Sequence, residues 1–352
     1  MHWLCLMLGL WLVNLNCTPP NGASAPVASS TVAPSAVSTP AVGAARAPRI
    51  ARIVNPTTGF PRTVQDASGL VTIPAKPMRI HTLSVGYDEI TFRLVDPSRI
   101  VAVGRSTANP DFSNVAELAG TIPNQVDREA ERIVALKPDL VVASPFASPD
   151  LLAQLRNASV PLVVADLVSS ANAHEENIRF LAYLYGEEAQ GEALIQEVRQ
   201  QLADLAQFVG SQAAEPRPNV LLLEGTNAAG SGTNEDGVLR LAGARNAAAE
   251  AGLSGNKAIS LEAIPVMDPD WIVLADPGLD RPSLGQQFLQ SPALQDVRAI
   301  RTGRVIRIKQ SLVNTLSQWN VVGATDLAHR LYGSCAITIE ATPGEAPPGG
   351  CP

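Results

Sequence analysis

From Arg79 onward, apolar runs of four to six residues alternate with stretches whose apolar positions recur at helical spacing. "RIHTLSV" predicts a strand, "YDEITFRLV" a helix and "RIVAVG" a second strand. A helix over "AERIVALK" follows, then strand "LVVAS", helix "DLLAQLRNA" and strand "PLVVAD". After Pro216 and Pro218 the alternation restarts with strand "NVLLLEG", helix "DGVLRLAG", strand "WIVLAD" and strand "RVIRIK". The helix "NVVGATDLAHRLY" closes the pattern. Strands separated by helix-length segments specify parallel sheets flanked by helices. Between the two alternating regions, about His174 to Gln212 carries no proline. Within it, Glu187 to Phe208 keeps helical spacing over roughly 22 residues, or ~33 Å of helix. The predicted fold class is therefore α/β: two Rossmann-like lobes of parallel sheet flanked by helices, joined by one long helix.

One unit occurs in both lobes. Glu131, Ile133, Pro138 and Asp139 open "ERIVALKPDLVV", and Glu262, Ile264, Pro269 and Asp270 recur at the same spacing in "EAIPVMDPDWIV". Each copy predicts a short helix stopped by a proline and followed by a strand, since proline disfavours helix at the residue before it. Ser260 is the predicted N-cap of the second copy, with Glu262 at its second helical position. A carboxylate there gains roughly 0.3–1 kcal/mol from the helix dipole whatever else it does.

The first 64 residues follow no such pattern. "LCLMLGLWLV" has the length of a signal-peptide core and is too short to span a bilayer. Behind Cys17 lies a Pro/Ala/Ser-rich stretch without periodicity, predicted to be a disordered tether. The predicted organisation is a leader over 1–17, a tether over 18–64, a first lobe over 65–173, connecting helices over 174–215, a second lobe over 216–333 and a tail over 334–352. The net charge of −7 divides into +4 before Asp66 and −11 from it onward. An acidic folded region with no Lys/Arg run is poor footing for nucleic acid. Cys335 and Cys351 flank a Pro/Gly-rich tail and form a plausible disulfide outside the cytoplasm; no Cys-x-x-Cys pair suggests a metal or redox role.

Two resemblances sharpen this picture. The leader, Cys17 and polar spacer resemble a bacterial lipoprotein, in which the cysteine is lipidated and anchors an exported protein; a plain secretory signal is the alternative. From about 65 to 333, the ordered set "VTIPAKPMRIHTLSVGYDEITFRLV", "ERIVALKPDLV", "GSGTNEDGVLRLAGARNAAAEAGLSGNKAISLEAI", "DPDWIVLAD" and "VRAIRTGRVIRI" resembles the periplasmic binding proteins for iron chelates, haem and cobalamin. The resemblance implies the helical-backbone binding-protein fold and a monomer that captures a ferric siderophore or cobalamin between its lobes. It further implies delivery to an ABC permease dimer with its cytoplasmic ATPase. It also implies that Glu131 and Glu262 dock on that permease, and that the protein carries no cofactor of its own and is not an enzyme.

Loops after strands are where open α/β sheets place ligands. They nominate Ser84, Gly86 and Tyr87 after the first strand, Arg105 after the next, and Phe146 after "LVVAS". Thr226, Ser231 and Thr233 in "GTNAAGSGT", then Gln318 and Trp319, complete the set. A phenol and a guanidinium suit an anionic ferric complex, and an indole suits the face of a macrocycle. Haem or a bare metal ion in the same fold is the alternative ligand. Only His81, His174 and His329 remain for direct metal binding once His2 leaves with the leader, and they are scattered. An exported enzyme is the alternative of another class. Ser231 and Asp236 are its candidate residues, but no nucleophile-elbow motif surrounds them.

Overall fold

The computed structural model describes residues 51–166, 174–212 and 216–333. Cys17, Cys335 and Cys351 lie outside the described residues. The first three strands, β1 (Arg52–Ile53), β2 (Arg62–Asp66) and β3 (Gly69–Ile73), form a small antiparallel sheet. This corrects the predicted tether, which runs through residue 64: residues 51–64 belong to the fold. The Arg62 side chain is buried, stacks on Phe60 and Tyr183, donates to the Thr58, Gly59 and Tyr183 carbonyls and pairs with Glu188. Ala51 and Val64 are core residues.

The first lobe continues with β4 (Ile80–Thr82), α1 (Val85–Leu94), β5 (Ile100–Ala102), α2 (Ala116–Gly120), α3 (Ala130–Ala135), β6 (Leu140–Ala143), α4 (Pro149–Asn157) and β7 (Leu162–Val164). Its sheet is parallel, in the order β5-β4-β6-β7. Strand β6 shows why its sequence is apolar throughout. Leu140 and Val142 enter the core on one face and Val141 and Ala143 the core on the other, so both faces are covered. Truncating fully buried Leu140 to Ala would cost about 2–5 kcal/mol.

Helices α5 (His174–Tyr185) and α6 (Glu188–Ser211) connect the lobes. At 24 residues α6 is about 36 Å long. Its Leu194, Ile195 and Val198 lie in the first lobe's core and Leu205 in the second lobe's. One rigid rod thus contributes to both cores. Gly191 lets α6 approach α5, because a Cβ there would meet that of Ala182 at 2.6 Å.

The second lobe contains β8 (Asn219–Glu224), β9 (Asn227–Ala229), α7 (Asn234–Leu241), β10 (Arg245–Asn246), α8 (Ala247–Glu250), β11 (Asn256–Ala258), α9 (Ala263–Met267) and β12 (Trp271–Asp276). It ends with α10 (Leu284–Leu289), α11 (Arg298–Arg301), β13 (Val305–Lys309), α12 (Gln310–Val313) and α13 (Trp319–Leu331). The sheet runs β11-β9-β8-β12-β13, with β10 also on β8. Strands β8, β10, β12 and β13 are parallel; β9 and β11 add an antiparallel flap. No helix among the described residues is long and apolar enough to cross a membrane.

The repeated unit has a structural explanation. Lys137 and Asp268 both adopt positive φ and turn the chain out of α3 and α9 just before Pro138 and Pro269. Asp139 then accepts from the backbone N–H groups of Met78 and Arg79, each at 2.8 Å, at the start of β4. Asp270 does the same for Asn219, at 2.9 Å, at the start of β8. Each Pro-Asp pair therefore sets a new strand beside its parallel neighbour and ties the neighbour's first donors. Glu131 lies in the first turn of α3 and is exposed. Glu262 occupies the N-cap of α9 itself, a correction to the predicted Ser260 cap, and the neighbouring Ser260 hydroxyl helps hold its carboxyl below the usual range.

Candidate functional site

The C-terminal ends of the first lobe's strands and the facing edge of the second lobe enclose a cavity of about 620 Å³, within the range of small-molecule sites. Ser84, Val85 and Gly86 bring the N-terminus of α1 to it. First-turn N–H groups lack intrahelical partners and carry the positive end of the dipole, so this wall favours anions. Ser106 and Thr107 follow β5, and Ser144 and Phe146 follow β6. Asn234, Asn314 and Thr315 supply the second lobe's side. Gly86 sits where the lobes meet: a Cβ would lie 3.2 Å from the Leu316 amide nitrogen.

Two successive buried carboxyls in the first turns of α1 organise the floor. Asp88 receives the hydroxyls of Thr82 at 2.5 Å and Thr107 at 2.6 Å, which fixes the ends of β4 and β5. Burial, only partly opposed by those hydroxyls, pushes Asp88 up to about 7. Glu89 reaches across the lobes. It receives Thr315 and Ser317 at 2.6 Å each from the second lobe, and the backbone and side-chain amides of Asn114 from the first. The same Asn114 side chain donates to the Ser311 carbonyl at 2.7 Å. Burial raises Glu89 as well.

Of the residues nominated from sequence, Ser84, Gly86 and Phe146 line the cavity; Phe146 is 86% exposed and presents a bare ring. Tyr87 is not at the mouth. It shares a core face of α1 with Ile90 and Leu94, and its hydroxyl donates to the Ala165 carbonyl. Arg105 lies outside the lining, with its charge matched by Asp127 at 2.8 Å and Glu129 at 3.5 Å. Thr226 is exposed away from the cavity, and the Ser231 hydroxyl donates to the Leu253 carbonyl. Thr233 caps α7, accepting the Asp236 N–H at 3.1 Å. Gln318 is buried, and Trp319 packs on the second lobe's core. None of these last seven lines the cavity among the described residues.

Arg128 is the residue that the sequence reading misses. Val126 pairs with Val103 beyond β5, and this short extension carries Asp127 and Arg128 to the cavity. No ion pair engages Arg128 among the described residues. The only sequence signal was a basic residue just before the repeated helix, and no strand pattern announced the extension. No His, Cys, Met or Tyr lines the cavity among the described residues, and no cluster of three or more metal-ligating side chains occurs among them.

Comparison with known proteins agrees with this architecture. The model of the periplasmic binding protein family matches residues 80–312. The iron-uptake system-binding protein of Bacillus subtilis is 24% identical over 247 residues, covering 67% of this chain and 75% of that protein. The apo periplasmic heme-binding protein RhuT from Roseiflexus sp. RS-1 superposes with a TM-score of 0.63 and 30% identity, over 72% of this chain and 98% of that one. The molybdate-bound MolA of Haemophilus influenzae gives a TM-score of 0.66 at 22% identity, over 77% and 91% of the two chains, a likeness of fold. With two lobes on one helix, a cavity at the strand ends and a family match across both lobes, the chain belongs to the periplasmic binding proteins, extracytoplasmic substrate-binding components of ABC importers.

Proposed function

We propose that this chain captures a preformed anionic metal chelate of the ferric-siderophore type, or a corrinoid, and hands it to its permease without transforming it. The observation that carries the reading is the donor set of the cavity. Arg128 offers an uncommitted guanidinium among hydroxyls and the N-terminus of α1, a combination suited to carboxylate or other oxyanion groups. The side chains that commonly complete an open coordination sphere do not line the cavity among the described residues, and the one carboxylate that does, Asp127, is held by Arg105. A metal fits best when it arrives with its ligands already supplied. Phe146 offers an apolar face at the rim.

The same reading takes Glu131 and Glu262 as exposed docking points for the permease, one per lobe, and Cys17 as a lipid anchor. It also takes the protein as a monomer. Haem is the second reading, favoured by the 30% identity to the heme-binding protein from Roseiflexus. Titrating the purified protein with ferric citrate, cobalamin, haemin and molybdate, followed by tryptophan fluorescence and visible absorption, separates these ligands. The expected result is saturable binding of a ferric chelate or cobalamin. For the chelate, Arg128→Ala should weaken binding by about 1.5–3 kcal/mol, the worth of a charge-assisted hydrogen bond. Binding of haemin alone would overturn the chelate reading.

A further inference from the structure

Glu224 ends β8 and Glu235 lies in the first turn of α7, so the intervening loop folds two carboxyls of the second lobe onto each other. Glu235 is 1% exposed. One oxygen of each carboxyl is buried without a hydrogen-bond partner. Two ionised carboxylates at hydrogen-bonding distance repel, and an orphaned buried acceptor is costly. A single proton between them removes both penalties.

The pair lies directly behind the cavity wall. Gln310 and Asn314 are the polar neighbours of Glu224 that partly oppose the effect of its burial, and Asn314 itself lines the cavity. Asn234, beside Glu235 in the chain, lines it too. Among the described residues no cation of the surrounding elements pairs with either carboxyl, and Arg330 on α13, which packs against α7, is paired with Asp326. Asp236 is paired with Arg240 on α7, Asp276 with Arg307 across β12 and β13, and Arg245 with Glu250 between β10 and α8. Lys309, at the end of β13, is exposed.

We infer that Glu224 and Glu235 share one proton and, through Asn314 and Asn234, position the second lobe's wall of the ligand cavity. The cavity is then shaped for capture only while that proton is held. Both glutamates are positioning residues behind the wall. The inference about capture rests on the proposed cargo; the shared proton and its effect on the wall do not. Burial, and then Glu235, push Glu224 up to about 8. A carboxyl raised in the folded state stabilises the fold most below its unfolded pKa. That contribution fades as pH rises and is lost through the folded value, here toward the alkaline side.

The test uses the ligand-free mature protein and its Glu224→Gln and Glu235→Gln variants between about pH 6 and about pH 9. Difference infrared spectra should show a protonated carboxyl in the wild type that fades across this range and is missing from Glu224→Gln. Asp88 also titrates, and wild-type-minus-variant differences remove its signal. The Asn314 side-chain amide resonances should shift with the same midpoint and stay still in Glu224→Gln. If that variant does not fold, Glu235→Gln serves as the control. With ferric citrate as probe, wild-type affinity should fall several-fold relative to the variant toward alkaline pH. An amide signal indifferent to pH would overturn the inference. So would a thermal midpoint at high pH restored by sodium or calcium in the wild type but not in Glu224→Gln, because the pair would then hold a cation. Failure of ferric citrate to bind at any pH would count against the cargo alone, since the amide resonances judge the pair without a ligand.

Discussion

Replacing Glu89 tests whether the lobes are locked at their base by one buried carboxylate. Glu89 is 0% exposed and accepts from Asn114, Thr315 and Ser317. In Glu89→Ala two of these donors find substitutes. The Thr315 and Ser317 hydroxyls already lie 3.1 Å apart, and the Asn114 side chain retains the Ser311 carbonyl. The Asn114 backbone N–H and the proton of the Ser317 hydroxyl do not, and each unpaired donor costs about 1–3 kcal/mol. Loss of the side chain from a packed site adds to this, for a total of about 3–6 kcal/mol. Glu89→Gln keeps the shape and removes a charge whose burial raises its pKa, so it should cost less than about 1 kcal/mol. Urea unfolding of both variants gives these values. A double-mutant cycle of Glu89→Ala with Thr315→Val should show a coupling of about 1–2 kcal/mol between the lobes. Small-angle scattering should report a wider range of lobe orientations in Glu89→Ala. A coupling below about 0.5 kcal/mol, with unchanged scattering, would refute the latch.

Other outcomes follow from the same geometry. Asp88, raised by burial to about 7, contributes stability that is complete below its unfolded pKa and lost as pH rises through 7; Asp88→Asn should remove that part of the pH dependence of thermal unfolding. Gly86→Val should wedge Leu316 and Thr315 away from α1, lowering ligand affinity more than stability, as binding titrations and melting would show. Scattering on ferric chelate should show only a small compaction, because α6 contributes to both cores. Changing both Glu131 and Glu262 to Gln should leave ligand affinity unchanged and reduce uptake, with wild-type docking weakening as salt rises; normal uptake by the double variant would leave the repeat with only its structural role.

The sequence by itself determined the main parallel strands of both lobes, the principal helices between them and the long connector, because burial on one or two faces writes its period directly into the chain. The small antiparallel strands β1–β3, β9 and β11 and the two-residue β10 carry no such period. The Pro-Asp repeat was legible for the same reason: Asp139 and Asp270 act on strand starts through a local turn whose stop signal is a proline. Tertiary structure decided the site. Tyr87 and Ser84 lie three residues apart near one end of the same helix, yet one faces a core and the other a cavity. Arg105 and Arg128 look alike in sequence; ion pairs to Asp127 and Glu129 quench the first and leave the second for the cavity. The residues 51–64 look like an extension of the tether until Arg62 is seen buried against Tyr183, more than a hundred positions away. Hydrophobic periodicity is a property of neighbours in the chain. The pairing of a charge or a hydroxyl is settled by groups that only folding brings near, as Glu89 and Thr315 show across 226 positions.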